Sequence, residues 1–202
     1  MFTGIVTDIG TIRSSEQRGD LRLEIGCGYD MHDVAIGASI ACSGVCLTVV
    51  DKGEDWFAVD VSGETISCTA DGQFADGARL NLERSLKLGD EMGGHIVTGH
   101  VDGVGSIASV DKVGDSWNVQ VAVPATLAPF IAAKGSITVN GVSLTVNVVE
   151  DGADGTSFAL NIIPHTAEVT TLGDIKAGDS VNLEIDVLAR YLRRMKDHMA
   201  AA

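Results

Sequence analysis

The chain is expected to be all-β: two similar small closed barrels produced by an internal duplication, followed by one C-terminal α-helix. Three observations lead there. Sequence blocks recur once in the same order, short runs inside each copy alternate apolar with polar residues, and 24 glycines occur in 202 residues that are only 4% aromatic. Abundant tight turns with few large side chains favour short strands over packed helices.

The recurrence starts at Thr3-Gly4-Ile5-Val6, which returns as Thr98-Gly99-His100-Val101. Each is followed by a Gly-x-Ile block, Gly10-Thr11-Ile12 and Gly105-Ser106-Ile107. Gly37-Ala38-Ser39-Ile40 is echoed by Lys134-Gly135-Ser136-Ile137, and Gly44-Val45-Cys46-Leu47-Thr48-Val49 by Gly141-Val142-Ser143-Leu144-Thr145-Val146. Glu64-Thr65 aligns with His165-Thr166. Gly77 to Glu83 aligns with Gly178 to Glu184. The copies therefore span about 1–88 and 90–186. Two units are too few for a solenoid, so each copy must close its own core.

Strands are read from a period of two in Leu21-Arg22-Leu23-Glu24-Ile25, Leu80-Asn81-Leu82-Glu83 and Val181-Asn182-Leu183-Glu184-Ile185. Turn residues separate such runs at Lys52-Gly53-Glu54-Asp55, Ala70-Asp71-Gly72 and Glu150-Asp151-Gly152. Closure into a barrel removes exposed sheet edges. From Val187 the pattern changes. Val187, Leu188, Tyr191, Leu192, Met195 and Met199 form a helical stripe, with Arg190, Arg193, Arg194 and Lys196 on the other side. This segment, 187–202, has no counterpart in the duplication and is expected to be an oligomerisation helix.

Composition bounds the partners. The chain is 45% hydrophobic and 21% charged, with a formal net charge of −14. That balance argues against nucleic acid or an anionic membrane surface, which need clustered Lys and Arg. The most apolar stretch, Val119 to Ala133, is broken by Pro124 and Pro129 and is too short to span a bilayer. No signal-peptide pattern opens the chain, so a cytoplasmic location is expected. Cys27, Cys42, Cys46 and Cys68 form no C-x-x-C pair, which argues against a zinc site or disulfide framework and for small buried thiols. His95 and His100, five residues apart on extended chain, point to opposite faces; no metal site is expected, and His95 is read as structural.

These blocks resemble the riboflavin synthase α-chain family. The most specific are Met1-Phe2-Thr3-Gly4-Ile5-Val6, the two G-x-[CS]-L-T-V segments, Gly93-Gly94-His95-Ile96-Val97-Thr98-Gly99-His100-Val101, and Ile163-Pro164-His165-Thr166. The resemblance runs from Met1 to about Met195. It implies six-stranded Greek-key barrels, a homotrimer, and dismutation of two 6,7-dimethyl-8-ribityllumazine molecules. One donates a four-carbon unit to the other, yielding riboflavin and 5-amino-6-ribitylamino-2,4-pyrimidinedione. No metal or organic cofactor is implied, and lumazine synthase enters as a possible associate.

The same resemblance supplies the candidate site. The substrate-binding residues it implies are Gly4, Ile5, Val6, Cys46, Leu47, Thr48, Asp60, Val61, Ser62, Gly63, Glu64 and Thr65, with Gly99, His100, Val101, Lys134, Ser143, Leu144, Thr145, Ile163, Pro164, His165, Thr166, Ala167 and Glu168. The catalytic candidates are His100, Cys46, Ser143, Thr145 and Asp186. The key step is loss of a proton from the lumazine 7-methyl group, and the reference pKa of histidine suits His100 as base. Cys46 is either a nucleophile or a pocket wall. Ser143 and Thr145 alternate on one strand, face the same side, and are read as hydrogen-bond donors. Asp186 matches a family carboxylate and is also suited to capping the helix.

Two departures stand out. Val45 occupies a position where the family often has cysteine, and His165 one where glutamate is frequent. Two other functions compete with this reading. A non-catalytic lumazine- or flavin-binding antenna is disfavoured because His100, Ser143, Thr145 and Asp186 are all present. A flavin reductase is disfavoured because no G-x-G-x-x-G segment occurs.

Overall fold

The computed structural model describes residues 1–153 and 155–200. The first copy forms strands β1 (Asp8–Arg18), β2 (Asp20–Gly26), β3 (Ser39–Cys42), β4 (Val45–Lys52) and β5 (Trp56–Val61), then a short helix α1 (Gly63–Ser67) and β6 (Arg79–Arg84). The strands close in the order β1-β2-β5-β4-β3-β6, every pair antiparallel. Alternation decides what faces inward. Leu23 and Ile25 of β2, Phe57, Val59 and Val61 of β5, and Leu80 and Leu82 of β6 meet in one buried core.

The second copy contributes β7 (Gly103–Val113), β8 (Ser116–Val123), β9 (Ser136–Val139), β10 (Val142–Thr145), β11 (Val148–Gly152), β12 (Gly155–Ile162), α2 (Pro164–Val169) and β13 (Ser180–Ile185). Its core of Ile107, Val121, Phe158, Leu160, Val181 and Leu183 is separate from the first. Here the expectation of six strands needs correction. The sheet has seven, ordered β10-β9-β13-β7-β8-β12-β11, because the fourth strand is divided at Val146–Asn147. The first copy has only a bulge at the matching place, between Val49 and Asp51. The cause is a change of partner within one strand. The Val146 N–H donates to Gly135 O on the β9 side, and the next residue, Asn147, donates to Ala159 O in β12. A strand serving two neighbours that diverge must bend there, and bulges concentrate that bend.

The copies are joined reciprocally, as in a two-fold contact. Phe2 and Val97 bond each other's backbones, with Phe2 N–H to Val97 O at 2.8 Å and the return bond at 3.1 Å. Phe2 is fully buried with Ala41 and Val97, with Cys46 packed against them; a Phe→Ala change at such a site costs about 3–5 kcal/mol. Ser43-Gly44 and Asn140-Gly141 form two-residue hairpin turns with positive φ at both positions, the type I′ geometry that suits twisted strands. The two turns lie against each other. Asparagines lock the crossing. Asn81 Nδ2 donates to Asn140 O and its Oδ1 accepts from Thr171 N–H; Asn182 Nδ2 donates to Ser43 O and its Oδ1 accepts from Ala70 N–H.

Helix α3 (Val187–Ala200) closes the described chain; Ala201 and Ala202, the end of the expected 187–202 segment, lie outside the described residues. Asp186 caps it through an Oδ1 that accepts from Leu188 N–H at 2.9 Å. The first turn is held by Arg190 on Asp102 at 2.8 Å, and Arg193 lies over the Phe130 ring. Beyond the half-buried Val187, its apolar stripe is exposed among the described residues. Leu188, Tyr191, Leu192, Met195 and Met199 are between 61% and 74% exposed. Among the described residues no helix is long and apolar enough to cross a membrane.

Candidate functional site

The segments that lead into the two barrels set up the site. Glu83, at the end of β6, accepts from Thr3 N–H, Thr3 Oγ1 and Gly4 N–H at 2.6–2.8 Å. Glu184, its counterpart on β13, accepts from Thr98 N–H, Thr98 Oγ1, Gly99 N–H and His100 N–H at 2.6–3.1 Å. Both carboxylates are buried. Charge-assisted bonds from several main-chain donors offset the cost of placing them there. Even so, desolvation outweighs the donors at Glu83 and raises its pKa above the ordinary glutamate value.

Each leader then crosses to the other copy. Cys46 N–H donates to Gly99 O, and Ser143 N–H donates to Gly4 O, both at 2.8 Å. Gly4 and Gly99 have φ of +76° and +77°, and a Cβ on either would fall 2.6 Å from the Cβ of Ser143 or Cys46. Only glycine satisfies both the left-handed backbone and that approach.

A cleft of about 260 Å³ results, lined by Val45, Cys46, Glu64, Thr65, Cys68, Thr69, Gly99, His100 and Val101. It unites Cys46, Glu64 and Thr65 of the first copy with Gly99, His100 and Val101 of the second. Each leader runs past its own copy before bonding across the two-fold, so the cleft is lined by both halves. On the matching side, Gly4 meets Ser143, while Val6 and His165 share a cleft of about 380 Å³ with Val169.

The short helices form the outer walls. In α1, Ser62 Oγ caps Thr65 N–H at 3.2 Å. In α2, Pro164 sits at the first turn, where its missing N–H leaves no helical bond unmade. Thr166 and Ala167 are half-buried, and Ile163, His165 and Glu168 exposed. Gly63 has open space around it.

Other candidates lie elsewhere. Leu47 and Val61 point into the first core and Leu144 packs on the second, so only their main chains are free to face a cleft. Thr48 and Thr145 are exposed. Asp60 lies on the barrel exterior, 3.7 Å from Arg22. Lys134 takes φ +67°, where the first copy has Gly37, and donates its N–H to Val146 O. Asp186 is at the helix cap.

Sequence reasoning missed Cys68 and Thr69. Of the cysteines only Cys42 is fully buried, where burial pushes its thiol pKa up; Cys68 is exposed because it ends α1 at the rim of the cleft. It also missed the contacts of His95, whose Nδ1 lies 2.7 Å from Ser143 Oγ and whose Nε2 lies 3.3 Å from Thr138 Oγ1. Burial lowers the His95 pKa, against the opposing pull of Asp186 and Glu184. A larger space of about 540 Å³, behind Ile5 and lined by Thr3, Tyr29, Arg84, Lys87 and Asp90 among others, contains only Ile5 of the candidate residues. Among the described residues, no three His, Cys, Asp or Glu side chains converge to hold a metal ion.

Comparison with known proteins agrees on one family. The lumazine binding domain description matches twice, at residues 3–85 and 98–186. Riboflavin synthase from Brucella abortus (strain 2308) is 48% identical over 204 residues, covering 98% of this chain and 99% of its own. Riboflavin synthase from Mycobacterium tuberculosis (strain H37Rv) is 44% identical over 199 residues, covering 96% and 98%. Among solved structures, LumP complexed with riboflavin superposes with a TM-score of 0.82 at 27% identity, covering 92% of this chain and 99% of that one. LumP complexed with 6,7-dimethyl-8-(1'-D-ribityl) lumazine gives 0.79 at 26%, with the same coverage.

Proposed function

The chain belongs to the lumazine binding domain family, with riboflavin synthases among its relatives, and from that premise we propose that it is itself a riboflavin synthase. The reaction proposed is a cofactor-independent transfer of a four-carbon unit between two molecules of 6,7-dimethyl-8-ribityllumazine, giving riboflavin and 5-amino-6-ribitylamino-2,4-pyrimidinedione. One observation carries the reading. The two-fold brings each leader against the other copy but puts unlike side chains there: Cys46, Glu64 and His100 line one cleft, while on the matching side Gly4 bonds Ser143 and Val6 shares a cleft with His165. A dismutation needs one kind of molecule bound twice and treated differently.

In this reading 1–88 and 90–186 are the lumazine-binding barrels. His100 takes a proton from the 7-methyl group of the donor, leaving an anion spread over the ring. Cys46 lies in the same cleft as nucleophile or wall. Ser143 and Thr145 present hydroxyls to the second ring. Main-chain groups of the two leaders meet the ring edges, and α1 and α2, with Ser62, Glu64, Thr65, Thr166 and Glu168, face the ribityl hydroxyls. Asp186 orders the start of α3, and α3 assembles a homotrimer in the cytoplasm, with lumazine synthase as an associate.

The test is to incubate purified protein with the lumazine alone. One riboflavin should appear for every two lumazines consumed, followed by absorbance. A second reading, a non-catalytic antenna, is favoured by the likeness to LumP. It requires bound lumazine with no riboflavin formed.

A further inference from the structure

The two clefts differ in more than the residues that line them. In the first copy, Ala41 pairs across the ladder with Cys46 and, on its other side, with Glu83; Phe2 and Val97 complete an apolar patch there. In the second copy the equivalent positions are Thr138, Ser143 and Glu184, in the same register. Two apolar or weakly polar groups have thus become hydroxyls, and an imidazole lies against both. His95 Nδ1 is 2.7 Å from Ser143 Oγ and Nε2 is 3.3 Å from Thr138 Oγ1, while His95 N–H is tied to Thr3 O at 3.1 Å. Gly94 permits this approach, since a Cβ on it would meet Ser143 Oγ at 3.0 Å and Thr3 O at 2.0 Å.

We propose that His95 is a positioning residue that makes Ser143 the proton-accepting group of the second cleft. This rests on the reading that Ser143 faces a lumazine ring. A separation of 2.7 Å lies mid-range for a hydroxyl donor and at the lower edge for a ring N–H, which favours Ser143 as the donor to Nδ1 and leaves the Nε2 proton for Thr138 at 3.3 Å. Ser143 therefore donates to Nδ1, and the Nε2 proton is directed at Thr138. With its own proton committed, Ser143 Oγ offers lone pairs to the ligand, not the donor expected from sequence.

The step balances. A ligand C–H bond breaks, its proton passes to Ser143 Oγ as the Ser143 proton passes to Nδ1, and the electron pair stays on the ring. The imidazolium so formed faces Glu184 and Asp186, the charged groups felt at this ring. Burial keeps the resting imidazole neutral to a lower pH than usual. The accepting form is thus present above that depressed pKa, and the rate it supports falls as pH drops through it.

Two measurements decide the proposal. A nitrogen-15 spectrum of the whole protein should show His95 protonated at Nε2, with an Nδ1 resonance that moves in Ser143→Ala; the opposite tautomer, or no movement, overturns it. In kinetics with the lumazine, His95→Leu should lower kcat tenfold or more with KM within threefold. His95→Asn, whose Oδ1 can accept the Ser143 hydrogen bond but cannot take up its proton, should leave kcat as low as His95→Leu does and abolish the acid limb of the pH profile; recovery of the parental kcat in His95→Asn overturns the proton-accepting role. A His95→Leu protein with the parental kcat and pH profile, or with only a raised KM, overturns the role. Absence of any riboflavin from the parent protein would sink the functional reading instead, and the nitrogen spectrum would still judge the tautomer.

Discussion

His100 and Cys46 share a cleft although they come from different halves of the chain. His100 gets there because Glu184 grips its N–H and the two before it, fixing the backbone while leaving the imidazole exposed. The proposed proton transfer predicts that His100→Ala lowers kcat by about 100-fold, the lower end of what general base catalysis supplies. Lumazine affinity, followed by ligand fluorescence, should change little. Turnover at the parental rate would remove the role. Cys46, Ser143 and His100 were visible in sequence because the repeat aligns each against an unlike partner. His95 carried no such signal. Its importance comes from a contact 48 residues away that no periodicity encodes.

Among the elements, α3 is the one whose surface the described chain leaves uncovered. Its stripe was legible because apolar side chains at helical spacing must share a face. Burying a Leu or Met fully contributes about 1.5–3 kcal/mol, so leaving five large apolar side chains in water is a substantial loss for an isolated subunit. The first turns of α3 touch the rest of the chain through Arg190 on Asp102 and Arg193 over Phe130. Ending the chain after Asp186 should therefore lower the oligomeric state in light scattering while the β-sheet circular dichroism persists. An unchanged mass would refute the assembly role. The divided fourth strand of the second barrel was not legible, since Val146-Asn147 follows the same alternation as Val49-Val50 and differs only in which neighbours its backbone finds.

For the whole molecule, buried polar contacts help set the relation between the copies, and Asn182 makes several of them. It holds Ser43 O and Ala70 N–H in the first copy and also meets Gln73. Asn182→Ala would leave at least two buried main-chain groups unpaired, at about 1–3 kcal/mol each. Thermal unfolding should begin well below the parent protein's transition, and lumazine affinity should weaken in both clefts, because both span the two copies. Loss at one cleft alone would mean that the copies bind independently.

The duplication, the strands and the final helix followed from the linear chain, because repeats and residue periodicity are local properties that survive without a fold. The crossing of the leaders did not. Gly4 reaches Ser143 and Gly99 reaches Cys46 only once the closed first barrel and the seven-stranded second sheet stand against each other about a two-fold. Which half completes which cleft depends on distances between residues far apart in sequence, and only packing sets those.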